Sequence, residues 1–187
     1  MKKLVCAAAI LACLPAVSFA DNLFGQISLY SDANFSQCTL ADNGPRLADV
    51  YVVHHIGPIV GNAYLLAFKL TTSTGFTGSW VQDSVPTGMS GIGTSPSGLS
   101  ISYQACRTGD VQVLRVTYQM FGTSSPCALI LASPYPGADF IETSNCSFDS
   151  FGVMGVALIV NPDGSCPCQS PVAVEPSTWG RVKSLYR

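Results

Sequence analysis

The stretch from Ser100 to Phe121 constrains the fold more than any other. Leu114, Val116, Tyr118 and Met120 alternate with Arg115, Thr117 and Gln119. A period of two sends one set into a core and the other to water. Val111 and Val113 are extra apolar residues at the start of this run. Arg107-Thr108-Gly109-Asp110 is turn chemistry, and Leu99 to Ala105 reads as an antiparallel partner strand. The pair is expected to form a hairpin in the middle of a β-sandwich.

Other segments repeat the signal. Strands are predicted at Phe24 to Tyr30, Asp49 to His55, Ala63 to Leu70 and Ser79 to Asp83, with Tyr64, Leu66, Phe68 and Leu70 facing inward. Ser84 to Gly98 carries four glycines and two prolines, so it reads as a long loop with one short edge strand at Met89 to Ile92. Cys127 to Ser133, Asp139 to Thr143 and Phe151 to Val160 complete the set before the turn at Asn161-Pro162-Asp163-Gly164. Gly, Ser, Thr, Pro and β-branched residues dominate. The expected fold class is all-β, an antiparallel β-sandwich.

The ends read differently. Lys2 and Lys3, the apolar run from Leu4 to Leu14 and Ser18-Phe19-Ala20 have the order of a secretory signal over 1–20. The run is shorter than the roughly 20 residues of a membrane-spanning helix. Secretion or export to the periplasm is therefore expected, with a lipid anchor on Cys13 as the alternative. The sandwich domain is expected over 21–168, a proline-punctuated linker over 169–176 and a short helix over 177–187. In that tail Trp179 and Tyr186 share a face while Arg181 and Lys183 spread over the rest, which makes these four a candidate recognition element.

Charge excludes one class of partner. The chain has 9 basic and 11 acidic residues. Without Lys2 and Lys3 the balance is seven to eleven, a net of −4. Three of the remaining basics (Arg181, Lys183 and Arg187) lie in the tail. No surface of the body can neutralise a run of phosphates, so nucleic-acid binding is not expected.

Removal of a signal would leave six cysteines: Cys38, Cys106, Cys127, Cys146, Cys166 and Cys168. An even number in an exported chain reads as three disulfides. The close pair in Cys166-Pro167-Cys168 is spaced too tightly for a zinc knuckle, which uses about two to four residues, so no metal is expected. If successive strands alternate up and down, Cys127 pairs with Cys146. Cys106 then takes one of Cys166 and Cys168, and Cys38 takes the other.

A search for chemistry returns little. His54 and His55 are adjacent on a strand and point to opposite faces, one packed and one solvated. No Gly-x-Ser-x-Gly elbow occurs. Most carboxylates sit in turns, while Asp83, Asp139 and Glu142 fall on predicted strands. No cofactor and no enzymatic activity are expected, a secreted hydrolase being the least favoured reading. Trp80, Tyr103 and Tyr135 are the candidate aromatics for stacking on a sugar. The first expectation is extracellular binding or assembly with a protein or surface partner; the alternative is a carbohydrate-binding module.

QISLYSD, VYVVHH, an FKL strand, LSISYQAC and the closing TWGRVKSLYR resemble uncharacterised exported bacterial proteins. More distantly, the strand order looks like cohesin-type jelly-roll sandwiches. That likeness implies binding of protein partners or cell-surface material.

Overall fold

The computed structural model describes residues 23–168. The expected signal segment with Cys13, and the linker and helix with Trp179, Arg181, Lys183 and Tyr186, lie outside the described residues. Twelve strands occupy the described chain: β1 Gly25–Tyr30, β2 Thr39–Leu40, β3 Pro45–Ile56, β4 Ala63–Thr72, β5 Ser79–Ser84, β6 Ser90–Thr94, β7 Gly98–Arg107, β8 Asp110–Phe121, β9 Ala128–Ser133, β10 Ile141–Ser144, β11 Ser150–Gly155 and β12 Ala157–Val160.

They form two layers. One runs β5-β8-β3-β1, and the other is built on β4, which pairs with β7 on one edge and with β9 and β10 on the opposite edge. β6 extends that second layer beyond β7. β11 and β12 pair with β10 and β9 respectively, and β11 then joins β1 in parallel, which links the two layers. Alternation explains the core between them. Val50, Val52, Leu114 and Val116 from one layer meet Leu66, Phe68, Leu99 and Ile101 from the other, all fully buried. Each such side chain contributes about 1.5–3 kcal/mol of burial energy.

The structure corrects the expected hairpin and the inward placement of Tyr64. Leu99 to Ala105 and Val111 to Phe121 are strands as predicted, yet β7 and β8 do not pair with each other. β7 lies between β4 and β6, and β8 lies between β3 and β5. The turn at Arg107–Asp110 therefore crosses between layers. Alternation marks which side of a strand is buried, and two strands facing each other across a core satisfy it as well as two neighbours do. Val113 is apolar because a bulge sits there: Val52 pairs with Leu114, Val53 with Gln112, and Val113 is left over and buried. A second bulge between Ala63 and Leu65 turns Tyr64 away from the core, while Leu66, Phe68 and Leu70 face inward as expected.

The disulfides are Cys38–Cys168, Cys106–Cys146 and Cys127–Cys166. Cys127 does not pair with Cys146, because β9 and β10 do not alternate in direction. Thr72 pairs with Ile130, and Ala67 with Glu142, so both strands run along one edge of β4 in the same sense. They are one strand interrupted by residues 134–140, and Cys127 and Cys146 lie at its opposite ends. β11 and β12 likewise continue one another, which returns Cys166 to Cys127. Cys106 reaches Cys146 because Arg107 pairs with Ala63 at the end of β4 where Asn62 accepts the Cys146 amide.

The break between β11 and β12 demands glycine at 155. A Cβ there would overlap the carbonyl oxygen of Ala132, and the Val156 amide is turned to the Ile27 carbonyl, 2.8 Å away. Backbone cannot yield as a side chain can. Gly155→Ala is expected to cost about 1–3 kcal/mol, read from the urea midpoint at unchanged slope.

Candidate functional site

Register across the second layer generates its outer face row by row. Ile92 pairs with Ser100, Ser100 with Ala67, Ala67 with Glu142, and Glu142 with Gly152. One row away Ser90, Ser102, Leu65, Ser144 and Ser150 stand in the same order. Residues two apart point the same way, so these rows are neighbours on one surface. The floor they make is built mainly of serine, alanine and glycine, with Leu65 and Glu142 among them.

Apolar side chains rim this floor. Ile92 is 80% exposed on the free edge of β6, Phe148 74%, Met154 64% and Phe140 49%. Phe148 sits in the turn between β10 and β11 with its ring 5.7 Å from Tyr64, edge to face. Phe140 covers Gly152, which has no side chain to keep it away. Tyr135 and Pro136 cover Gly98 in the same manner, so residues 134–140 fold over one end of the face. Lys69 and Glu142 supply one ammonium and one carboxylate, and Ser150 Oγ donates to Glu142 at 2.6 Å. An exposed apolar rim around a hydroxyl floor matches what a protein partner covers.

Among known structures the likeness is one of fold. No protein-family model matches the chain, and no curated protein matches it. A cohesin module from a Clostridium perfringens family 33 glycoside hydrolase superposes with a TM-score of 0.53 at 7% identity, covering 75% of this chain and 99% of that one. The fold is cohesin-like. A cohesin of Acetivibrio cellulolyticus scaffoldin B in complex with a dockerin gives 0.47 at 9% identity over 74% of this chain and 99% of that one. A type I cohesin–dockerin complex from Clostridium thermocellum gives 0.49 at 7% identity, with 77% and 97% covered.

The cohesin-like frame separates the three aromatics expected to stack on a sugar. Tyr135 lies on the flap at the rim just described. Trp80 is on β5 in the other layer, at the open edge of the sandwich, where its Nε1 donates to Asp83 Oδ1 at 3.0 Å. The same carboxylate accepts the Ser95 amide at 2.6 Å and the Ser95 hydroxyl at 2.7 Å, which ties the edge of β5 to the β6–β7 turn. Tyr103 is no surface residue at all: it is fully buried. It shares its parity with Leu99 and Ile101, and that parity, visible in the sequence, places it in the core.

Tyr103 is there to meet His54. Its hydroxyl lies 2.8 Å from His54 Nδ1 across the two layers. His54 is fully buried and its Nε2 has no hydrogen-bond partner. Burial, and to a smaller extent the neighbouring His55, push the imidazole down to about 4. His55 points outward, as strand geometry requires, with Nδ1 2.8 Å from Asp110 and Nε2 3.3 Å from the Tyr30 hydroxyl. The two histidines therefore serve opposite surfaces of β3. Cys127, Asp163 and Cys166 bring three potential metal ligands together, but the two sulfurs are bonded to each other. Asp139, expected on a strand, lies in the loop before β10, whereas Asp83 and Glu142 are on strands.

Ile92, Phe140, Phe148 and Met154 escaped the sequence reading. Ile92 is embedded in glycine and serine, Phe140 and Phe148 lie in loops, and Met154 falls inside an apolar run whose parity is hidden by residues buried on both sides of it.

Proposed function

We propose that the protein is a non-enzymatic binding module, exported from a bacterial cell, that docks a protein partner on the outer face of β6, β7, β4, β10 and β11. The exposed apolar rim carries this reading: Ile92, Phe140, Phe148 and Met154 surround one surface, and monomeric proteins leave such groups open mainly where something covers them. The cohesin-like fold agrees with an assembly role. Pairing of six cysteines into three disulfides suits an oxidising compartment outside the cytoplasm. No helix among the described residues is long and apolar enough to cross a membrane.

Photo-crosslinking tests it in the organism that makes the protein. Ile92 is replaced by p-benzoylphenylalanine, and irradiation is expected to give one discrete heavier species. Adding Phe148→Asp should reduce that species at least about tenfold, since an exposed aromatic ring that a partner buries is worth more than about 1–2 kcal/mol. The same label in place of Leu47, exposed on the other layer, should give none. Failure to form an adduct at position 92, or the same adduct from position 47, overturns the docking face.

A further inference from the structure

The opposite face of the sandwich has a different chemistry. Across β1, β3, β8 and β5 the register sets Gln26 beside His55, Tyr51 beside Arg115, and Thr117 beside Gln82. Gln112 pairs with Val53, and Gln119 with Leu47, on the same side. Four of the seven glutamines in the chain thus stand on one surface. The rim residues and floor of the docking face include none.

Charges on this surface are answered in place. Arg115 Nη1 is 3.8 Å from Asp49 Oδ2, and Thr117 Oγ1 donates to Asp49 Oδ1 at 2.7 Å. Asp110 accepts from His55 Nδ1 at 2.8 Å. Other polar heads are left open. Gln82, Gln112 and the Tyr51 hydroxyl make no side-chain hydrogen bond among the described residues. Tyr51 also offers a half-buried ring, 6.3 Å from that of Phe35.

A side-chain amide presents two donors and an acceptor in one plane, which suits paired hydroxyls on a sugar ring. An aromatic ring beside it takes the apolar face of the same sugar. A surface whose arginine is already held by a carboxylate has no cation to spare for an acidic ligand, and its exposed apolar side chains Leu47 and Phe121 lie together at one end, by the start of β3. We infer that the outer face of β1, β3, β8 and β5 binds a neutral polysaccharide through Gln82, Gln112 and Tyr51. The module then joins a glycan on one face to a protein on the other. The inference stands apart from the docking reading, because it uses the opposite layer.

Affinity gel electrophoresis of the full chain tests it with hydroxyethylcellulose, mixed-linkage β-glucan and dextran as neutral probes, and polygalacturonate as an acidic one. At least one neutral polymer is expected to retard the protein, equally with and without added salt. Q82A combined with Q112A should weaken that retardation at least tenfold. The double variant should fold, since neither amide makes a bond to lose, and circular dichroism checks this. Ile92→Asp should leave retardation intact. No retardation by any neutral polymer, retardation by polygalacturonate alone, or a double variant that behaves as the parent overturns the inference. So does retardation lost with Ile92→Asp, which would move the glycan to the other face.

Discussion

On acidification from about pH 7.5 to about pH 4.5 the protein is expected to lose about 2–3 kcal/mol of unfolding free energy through His54 alone. Burial holds the folded imidazole at about 4 against an ordinary value of 6.5. Between those values the unfolded chain binds a proton that the folded one refuses, so acid favours unfolding. Stability from this group is complete above 6.5 and drains away as the pH falls toward 4. The carboxylates act lower on the scale. Burial pushes Asp42 up, but hydrogen bonds from Ser124 and the amides of residues 122–124 outweigh it and leave the group below its ordinary 3.8. Asp42 therefore loses its contribution only as the pH falls below about that value. Urea unfolding at the two pH values reads the effect, and His54→Phe should flatten it even where the variant is less stable throughout. An unchanged acid loss in His54→Phe would assign the sensitivity elsewhere.

His54 also shows how far the sequence reaches. Adjacent histidines on a strand must point apart, so one buried and one outward residue follow from geometry alone. What the buried one meets does not follow, because Tyr103 comes from the other layer, 49 residues along the chain. The same limit governs the rest of the fold. Parity identified the inward side of β8 and, Tyr64 apart, of β4, and glycine and proline placed the turns. Pairing partners are tertiary facts, and β7 and β8 satisfied their parity from opposite layers. The candidate faces were the least legible. Their residues come from five strands and four strands respectively, and only the register between strands sets Ile92 in line with Gly152, or Gln82 in line with Asp49. Small outward residues such as Ser100 and Ser102 look like filler until that register makes them a floor.

Removing the Cys38–Cys168 bond, by Cys38→Ser together with Cys168→Ser, is expected to cost about 5 kcal/mol. The bond closes a sequence separation of 130 and encloses β2 to β12, so cutting it releases the largest loop in the unfolded chain. Cys106–Cys146 and Cys127–Cys166 close separations of 40 and 39. On loop entropy alone each is worth about 4 kcal/mol. A domain of this size is stable by about 5–15 kcal/mol, so the loss of the long bond leaves little margin. Both cysteines of a pair must go, because one left behind would be a free thiol beside two other disulfides, and Cys166 and Cys168 are separated by a single proline. Urea unfolding of the three paired variants at one pH ranks the bonds. Loop entropy requires the long bond to cost most and the two short ones to be nearly equal. If Cys106–Cys146 or Cys127–Cys166 costs most instead, the bonds act through the local geometry of their own ends of the sandwich, and a loss under about 1 kcal/mol for Cys38–Cys168 would show that β2 and the chain end are held by strand pairing alone.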